Sequence, residues 1–331
     1  MNIYDIAKKC GVSISTVSRV MNNSGAVSEK TRKKVERAIA EEKFVPNNVA
    51  RSLASNSTKL VGLMVPDVRN SFHAQVAYEL GEILNSKGYV TILSNTTDLL
   101  DKKLEMLKVQ EEQMVDAIIT VGSSYGERKF LDESLKLSKN IPIVQINNYC
   151  PGLISVYCDE ENGMLQSMKN FKNKGYEKPL FVSQPTMFET RAYESKKLGF
   201  IKGLEAYYPK VDFMQQKIYN FNKDIDKVFK FIDENNIDAI QFENDNLAIK
   251  FLKYFIDKKI NIPEEMGLVG FDNNDATNYT YKRISSIDHR IHDHAQVAVD
   301  FLMKVLNGED EFINYQNIIK PKFVAKETTR R

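Results

Sequence analysis

Residues 10–22 read CGVSISTVSRVMN, and this run decides the fold of the N-terminal part of the chain. The preceding stretch, IYDIAKKC (3–10), has apolar residues at helical spacing. Gly11 suits a tight turn that needs a left-handed backbone, and Ser13 is a favourable cap for a second helix over ISTVSRVMN. Two short helices joined by a glycine turn predict a helix-turn-helix.

The second helix of such a motif enters the major groove of DNA, where its outward residues contact base edges. Ile14 could contact a thymine methyl group here, and Arg19 could bind guanine through two hydrogen bonds. A third helix is predicted after the cap at Ser28, with Val35 and Ala38 closing a small core. Packing alone would explain the apolar positions but not the polar face with one arginine. The candidate DNA-contacting residues of this part are Tyr4, Ser13, Ile14, Ser15, Thr16, Ser18, Arg19, Asn22 and Ser28.

A further short helix is predicted after Pro46, before the flexible linker SNSTK. Leu53 is apolar in a segment that is too short and too polar to form a core, so two interpretations stay open. Leu53 packs on the rest of the chain, or it inserts as an apolar wedge into the minor groove. In the second case Asn47, Asn48 and Arg51 would contact the DNA backbone.

The distribution of charge divides the chain at this point. Residues 1–60 carry eleven Lys or Arg against five Asp or Glu, whereas the other residues carry 35 basic and 39 acidic side chains. A basic segment on a mildly acidic body is typical of a polyanion-binding module fused to another function. Taken alone, a solvated basic face would explain this charge equally well.

Length and composition limit the class of protein. At 331 residues and 42% apolar residues, the chain is expected to hold two or three domains. No apolar run reaches the ~18–20 residues of a membrane span, and no signal peptide is recognisable. Three scattered cysteines (Cys10, Cys150 and Cys158) favour reduced thiols. These features predict a cytoplasmic protein with no membrane partner.

From residue 60 onward, short apolar runs alternate with amphipathic helical stretches. One series runs from LVGLMVP to IPIVQIN, and a second begins at ISVYCD. This alternation predicts parallel sheets with helices on both faces, arranged as two α/β lobes. Because ligands in such sheets bind beyond the carboxyl ends of the strands, facing lobes would enclose a ligand cleft.

Polar residues directly after the predicted strands are the candidates for this cleft. Carboxylates, amides and an aromatic ring are what a hydroxyl-rich sugar requires, and Phe72 and Arg191 add the ring and a charged donor. Each residue singly could instead cap a helix or form a turn. The candidate effector-binding residues are Asp67, Phe72, His73, Asn95, Ser123, Asn147, Arg191, Asn244, Asp245 and Asp272.

Metal and catalytic chemistry find little support. The segment DHRIHDH (288–294) is rich in possible ligands, but it starts an amphipathic helix, where successive residues point in different directions. We therefore expect solvated polar residues there and no metal. The chain has no phosphate-binding glycine loop, nucleophile elbow or HExxH motif, so we predict neither enzymatic activity nor a cofactor.

The stretch IYDIAKKCGVSISTVSRVMNNSGAVSEKTRKKVERAIAEEKFVPNNVARSLA resembles the headpiece of the lactose-repressor/galactose-repressor family of transcription regulators. The order of elements in the rest of the chain resembles the periplasmic-sugar-binding-protein-like core of that family. The resemblance implies an all-α helix-turn-helix headpiece and an α/β core of two doubly wound parallel-sheet lobes. The implied boundaries are 1–46 for the headpiece, 47–59 for a hinge helix and linker, and 60–331 for the core, with 60–157 and 289–316 in one lobe and 158–288 and 317–331 in the other.

The resemblance further implies a homodimer on twofold-symmetric operator DNA, base recognition by Ser15, Thr16 and Arg19, and insertion of Leu53 into the minor groove. The effector contacts that it implies most clearly are Phe72, Asn147, Arg191 and Asp272. Because no leucine-rich heptad helix follows Val324, a dimer is expected rather than a tetramer.

Three residues depart from the family pattern. Ile14 replaces an aromatic or polar residue, Lys196 replaces an arginine, and His73 stands where an apolar or aromatic residue is frequent. The operator sequence and the identity of the ligand therefore stay open.

These features predict a repressor whose operator affinity is set by a small polar effector, a sugar or a sugar derivative. The alternative is a regulator of the same fold controlled by a partner protein, such as a phosphocarrier protein. An enzyme with a DNA-binding head is the third class considered.

Overall fold

The structure is a computed structural model that describes residues 3–21, 25–42, 57–184, 189–309 and 315–329. The chain divides into two compact units, residues 1–59 and residues 60–331. Within the described ranges, no helix combines the length and the apolar character needed to cross a membrane.

The described part of the first unit consists of the helices α1 (Ile3–Cys10), α2 (Ile14–Met21) and α3 (Glu29–Glu41). Gly11, between α1 and α2, has a φ of 59°, a left-handed conformation that glycine adopts without strain. Ile6, Val17 and Val35, one from each helix, are fully buried together. The predicted helix-turn-helix with a third helix closing its core is confirmed.

The second unit alternates strands and helices. Its strands are β1 (Leu60–Val65), β2 (Val90–Asn95), β3 (Ala117–Val121), β4 (Ile143–Ile146), β5 (Ile154–Cys158), β6 (Pro179–Ser183), β7 (Gln215–Lys217), β8 (Ala239–Phe242), β9 (Gly267–Asp272), β10 (Ser285–Asp288), β11 (Gln316–Ile319) and β12 (Lys322–Val324). Its helices are α4 (Ser71–Ser86), α5 (Leu100–Glu112), α6 (Arg128–Leu137), α7 (Glu160–Asn173), α8 (Arg191–Tyr207), α9 (Phe221–Asn235), α10 (Asp245–Asp257) and α11 (Ile291–Leu306).

The strands form two six-stranded sheets. The order in the first lobe is β11-β5-β4-β3-β1-β2, and the order in the second is β12-β10-β9-β8-β6-β7. All neighbouring strands run parallel except β12, which pairs antiparallel with β10. The predicted pair of doubly wound α/β lobes is confirmed.

Both faces of each sheet are covered by helices, as apolar strand runs require. In the first lobe α4 and α11 bury one face around Val65, while α5 and α6 bury the other around Ile118. In the second lobe α9 and α10 cover Ile240, and α7 and α8 cover Phe271. The described helices do not cover the carboxyl ends of the strands, and the loops and the first turns of the helices lie there.

The last crossover between the lobes differs from the prediction, which ended the first lobe at residue 316. β11 pairs with β5 through Ile319, so this strand belongs entirely to the first sheet. The chain then passes Pro321 and joins the second sheet as β12. The sequence predicts one strand-like run because each piece ends in two apolar residues, Ile318 and Ile319 in β11 and Phe323 and Val324 in β12. Only pairing with different partners separates the two strands.

Candidate functional site

One candidate surface is the start of α2 in the first unit. Ser13 Oγ lies 2.7 Å from Ser15 Oγ and 2.8 Å from Thr16 Oγ1, and it accepts a hydrogen bond from the Thr16 N–H at 3.2 Å. Ser13 and Ser15 are exposed, whereas Thr16 and Ser18 are half-buried. The N terminus of α2 is thus capped and presents hydroxyl groups.

The other predicted DNA-contacting residues fall into three groups. Ile14 and Arg19 on α2, and Tyr4 on α1, are exposed. Ser28 is also exposed, but its Oγ accepts a hydrogen bond from the Thr31 N–H at 3.2 Å and so caps α3. The predicted residues that lie outside the described part of the chain are Asn22, Asn47, Asn48, Arg51 and Leu53.

The second candidate site lies in the second unit, where the carboxyl ends of the two sheets meet. Asn274, after β9, donates from Nδ2 to Oγ of Ser71, at the start of α4, over 3.1 Å. The rings of Phe72 and His289 lie 4.8 Å apart. Side chains from both lobes therefore touch at this edge, and we name the space between the two sets of strand ends the interlobe cleft.

Asp272 ends β9 at this cleft. Its φ is 107°, an uncommon value for a residue with a side chain, and its Oδ1 lies 3.8 Å from His289 Nε2. Burial raises the pKa of Asp272 to about 7; Lys196 opposes the rise, and the nearby charges of Glu243 and Glu160 add to it. Burial lowers the pKa of His289 well below its usual value, so this imidazole is neutral near pH 7. The carboxyl group of Asp272 therefore changes its charge near neutral pH.

Asn244 and Asp245, at the start of α10, support the cleft. Asp245 accepts hydrogen bonds from the Asn274 N–H at 2.7 Å and from the Ser286 hydroxyl at 2.6 Å, one to each carboxylate oxygen. Asn244 Oδ1 accepts from the Leu247 N–H at 2.9 Å and caps α10. Asn244 therefore matches the capping alternative, whereas Asp245 holds the loop that follows β9.

Arg191, at the start of α8, is a partly exposed cation of the cleft. Its Nη2 donates to Glu160 Oε1 at 2.6 Å, and its guanidinium carbon lies 4.2 Å from the centroid of the Tyr157 ring. The Glu160 side chain is fully buried, whereas 25% of the Arg191 side chain is exposed. Burial raises the pKa of Glu160, and the charge and hydrogen bond of Arg191 oppose this rise.

Glu160 and Lys196 belong to this site although neither was selected from the sequence. Glu160 is the second residue after β5, so the rule that selected polar residues after strand ends would have found it. Lys196 lies within α8, where its Nζ donates to the Glu243 carbonyl at 2.8 Å and sits 4.0 Å from the centroid of the Phe271 ring. A lysine inside an amphipathic helix gives no comparable signal by its pattern, and only the family resemblance, in which Lys196 replaces an arginine, drew attention to it.

In the first lobe, three predicted residues stabilise the loop after β1. Asp67 Oδ2 accepts from Arg69 Nη2 at 2.7 Å, and the hydrogen bonds of Arg69 lower the pKa of Asp67 to about 2. Asn95 Oδ1 accepts from the Val68 N–H at 2.9 Å. His73 Nδ1 lies 3.1 Å from the Asp67 carbonyl oxygen. These contacts match the turn-forming alternative.

Phe72, Ser123 and Asn147 lie at the same edge of the first sheet. Phe72 is largely buried, and Ser123 is half-buried in a short 3₁₀ turn. Asn147 has a φ of 61°, and its buried Oδ1 accepts no hydrogen bond from the described residues. The structure thus brings Phe72 and Asn147 to one side of the cleft, and Arg191 and Asp272 to the other.

The histidines of the DHRIHDH segment correct the expectation of solvated side chains. His289 and His294 are each only 1% exposed, with their rings 5.5 Å apart, and burial lowers the pKa of His294 to about 4. His292 is exposed, with its Nδ1 2.8 Å from Glu79 Oε2. His294 is buried because it lies on the face of α11 that packs on the first sheet. The described ranges hold no group of three His, Cys, Asp or Glu suited to a metal ion.

Two family models match the chain. The model for bacterial regulatory proteins of the lacI family matches residues 2–47. The model for the periplasmic binding protein-like domain matches residues 169–329.

Several curated relatives align over nearly the whole chain. An HTH-type transcriptional regulator of Lachnoclostridium phytofermentans is 30% identical, covering 99% of both chains. Catabolite control protein A of Priestia megaterium is 31% identical over 93% of both chains. The sucrose operon repressor of Streptococcus mutans is 30% identical, again over 93% of both.

Solved structures show the same fold. A lac repressor dimer bound to operator and an anti-inducer superposes with a TM-score of 0.86 at 20% identity, covering 99% of both chains. A periplasmic binding protein/LacI transcriptional regulator of Alkaliphilus metalliredigens, complexed with D-xylulofuranose, gives 0.69 at 28% identity, covering 82% of this chain and 100% of the other. With its helix-turn-helix headpiece and two-lobed core, the chain belongs to the lacI family of bacterial regulatory proteins and is a DNA-binding transcriptional regulator.

Proposed function

We propose that this regulator is a cytoplasmic repressor whose affinity for operator DNA is set by a sugar bound in the interlobe cleft. The observation that carries the proposal is the place of four residues at the strand ends: Phe72 and Asn147 in one lobe, Arg191 and Asp272 in the other. The Ser71–Asn274 contact joins the two lobes at this edge. An aromatic ring beside buried donors and acceptors is suited to a molecule with apolar faces and many hydroxyl groups. The relative solved with D-xylulofuranose supports a sugar as the effector.

We propose that the effector acts by changing the balance between lobe arrangements. Ser71 Oγ donates to Asn246 Oδ1 at 3.4 Å and accepts from Asn274 Nδ2 at 3.1 Å, so both lobes share one polar contact beside the cleft. A ligand that binds one arrangement more tightly shifts the population toward it. The direction of the response, induction or corepression, follows from which arrangement holds the operator.

The test is a titration of operator DNA by fluorescence anisotropy, with and without each member of a panel of sugars and sugar derivatives. A sugar that changes the operator affinity in the wild-type protein but not in a cleft variant supports the proposal. Control by a partner protein predicts the reverse pattern: a phosphocarrier protein changes the affinity, and cleft variants respond as the wild type does. If no small molecule changes the operator affinity and the phosphocarrier protein does, control by a partner protein replaces the sugar proposal.

Arg19→Ala is expected to reduce discrimination between operator and random DNA. The side chain is exposed on α2, and we propose that its guanidinium binds a guanine edge through two hydrogen bonds. The loss is expected to be about 1–3 kcal/mol on the operator and small on random DNA. Arg37→Ala, an exposed arginine of α3, is the matched control for charge. An equal loss on both DNAs for Arg19→Ala would assign Arg19 to the phosphate backbone.

The protein is expected to be a homodimer that binds a twofold-symmetric operator. One recognition helix contacts too few bases for specific affinity, and paired half-sites double the contacts. We propose that the core rather than the headpiece holds the dimer together. Light scattering should give about twice 38.0 kDa for the intact chain, and twice its own smaller chain mass for residues 60–331. A monomeric core would place the dimer contact in the headpiece.

Effector binding is expected to weaken as the pH falls below 7. The pKa of Asp272 is raised to about 7 by burial, with Glu243, Glu160, Lys196 and the neutral His289 around it. A sugar hydroxyl donates more strongly to the ionised carboxylate, so binding below this pKa requires loss of a proton. Affinity should fall by up to about tenfold per pH unit below 7.

Calorimetry between about pH 6 and 8 measures this dependence, and Asp272→Asn should remove it. The free energy of unfolding depends on pH in the opposite direction. Because the folded-state pKa of Asp272 is raised above its unfolded value of 3.8, its contribution to the free energy of unfolding falls as the pH rises from about 4 to 7. If the effector affinity of the wild type is independent of pH, Asp272 does not contact the effector.

A further inference from the structure

The Glu160–Arg191 pair places a carboxylate where an anionic ligand would bind. The Arg191 guanidinium is a partly exposed cation of the cleft, and Glu160 Oε1 already accepts from it at 2.6 Å. The second carboxylate oxygen, Oε2, is buried and receives no hydrogen bond from the described part of the chain. Nε of Arg191 is likewise buried and donates no hydrogen bond to the described part of the chain. The pair is therefore neutral overall, and it still offers one acceptor, Oε2 of Glu160, beside one donor, Nε of Arg191.

The neighbouring cations are also engaged. Lys196 Nζ donates to the Glu243 carbonyl and lies over the Phe271 ring. Lys326 Nζ donates to Asn273 Oδ1 at 2.8 Å and to Thr277 Oγ1 at 2.7 Å. Within the described ranges, these contacts occupy the lysines that act electrostatically on Asp272 and Asp245.

At the helix N termini of the second lobe, where free N–H groups can bind anions, a side chain already occupies one N–H donor of each helix. Each of the four helices from α7 to α10 has a capping oxygen that accepts a hydrogen bond from an N–H of its first turn. The capping residues are Asp159, Thr190, Asn220 and Asn244.

We propose that Glu160 determines the specificity of the cleft: it admits an uncharged, hydroxyl-rich sugar and excludes its phosphorylated form. This inference rests on the proposed sugar-binding function of the cleft. A sugar hydroxyl accepts from Arg191 and donates to Oε2 of Glu160, which satisfies both partners of the pair. A phosphate ester carries about −1.5 to −2 charges at pH 7 and offers acceptors almost exclusively. It would meet the carboxylate of Glu160 and compete with it for Arg191.

The variant that tests this role is Glu160→Gln, which removes the negative charge and supplies an N–H donor at nearly the same size. Inorganic phosphate at about pH 8, titrated into the full-length dimer by calorimetry, is the probe. Glu160→Gln should bind phosphate at least tenfold more tightly than the wild type. The double variant Glu160→Gln/Arg191→Ala should lose this gain, which places the bound phosphate beside Arg191 and not on the basic headpiece.

Glu161→Gln is the matched control. Glu161 is the next residue of α7, and its side chain is more exposed than that of Glu160. Its Oε1 accepts a hydrogen bond from Lys202 Nζ at 2.6 Å. This variant should bind phosphate as the wild type does. Phosphate binding by the wild type that Arg191→Ala abolishes would overturn the proposal. So would a folded, operator-binding Glu160→Gln protein that gains no phosphate affinity.

A second measurement on the wild type covers the case in which Glu160→Gln does not fold. D-xylulose and D-xylulose 5-phosphate are titrated into the wild-type and Arg191→Ala proteins. The proposed role of Glu160 is contradicted if the phosphate ester binds at least as tightly as the free sugar and this binding depends on Arg191. Absence of such binding supports the role. Failure of every sugar to alter operator binding would instead remove the proposed effector function, and the phosphate gain of Glu160→Gln does not depend on that result.

Discussion

Asp272→Ala and Arg191→Ala are each expected to weaken the effector response strongly while the protein still binds its operator. Asp272 ends β9 and Arg191 begins α8, and both present polar groups at the carboxyl edge of the second sheet. Removing either leaves hydroxyl groups of the bound sugar without a charged partner. A hydrogen bond to a charged group contributes about 1.5–3 kcal/mol, so the dissociation constant should rise by roughly ten- to a hundredfold.

Calorimetry with the sugar found in the screen measures the loss, and operator binding is followed by anisotropy. Asp275→Ala is the control for Asp272, because Asp275 is an exposed acid three positions further along the chain. Arg128→Ala, at a side chain that is 96% exposed, is the control for Arg191. Wild-type sugar affinity in both cleft variants would show that the effector binds elsewhere.

Gly199→Ala is expected to give the largest loss of stability among single-methyl substitutions in the core. Gly199 lies on α8 against α7, where an added Cβ would be 2.5 Å from the Glu161 carbonyl oxygen and 2.7 Å from its Cα. Backbone atoms cannot move aside as the end of a flexible side chain can, so the two helices must separate. Overpacking of this kind costs about 1–3 kcal/mol and occasionally more, and we expect the upper end.

Gly81→Ala is the matched control, because Gly81 is also inside a helix, α4, but an added Cβ would find its nearest neighbour, Thr91 Oγ1, at 3.9 Å. The gain in helix propensity should leave this variant as stable as the wild type, or more stable by up to about 1 kcal/mol. Denaturant unfolding of both variants provides the comparison. Equal stability of the two would mean that α7 and α8 can separate without cost.

Separation of α7 and α8 would also affect the cleft. Glu160 begins α7 and Arg191 begins α8, so their 2.6 Å contact depends on the distance between these two helices. A folded Gly199→Ala protein should therefore show weakened sugar binding in addition to reduced stability. Unchanged sugar affinity would show that the ion pair adjusts independently of the helix packing.

Local sequence determined the parts of this protein that depend on neighbours within a few positions. Apolar spacing gives α1 and α2, Gly11 takes the left-handed turn between them, and Ser28 caps α3. Alternating apolar runs and amphipathic helices likewise gave two parallel-sheet lobes, since a buried parallel strand must be apolar on both faces. The edge of the sheets that carries Asp272 and Phe72 followed from the same pattern.

Predicted roles of single polar residues at that edge were less secure, because a side chain after a strand can bind a ligand or the adjacent backbone. The structure assigns Asn244 to a helix cap and Asn95 to a loop contact, whereas the buried Oδ1 of Asn147 accepts nothing from the described residues. A sequence shows the residue type, and the local backbone geometry decides which acceptor it meets.

Only the tertiary structure decided contacts between residues distant in sequence. It separates β11 from β12 by pairing them with different sheets, and it buries His294 against the first sheet. It also joins Glu160 to Arg191 and sets Gly199 against the backbone of α7. Periodicity shows which face of a helix is buried but not which element covers it. The sequence by itself therefore determined the elements, their order and the family, whereas long-range packing decided how charges are paired in the cleft.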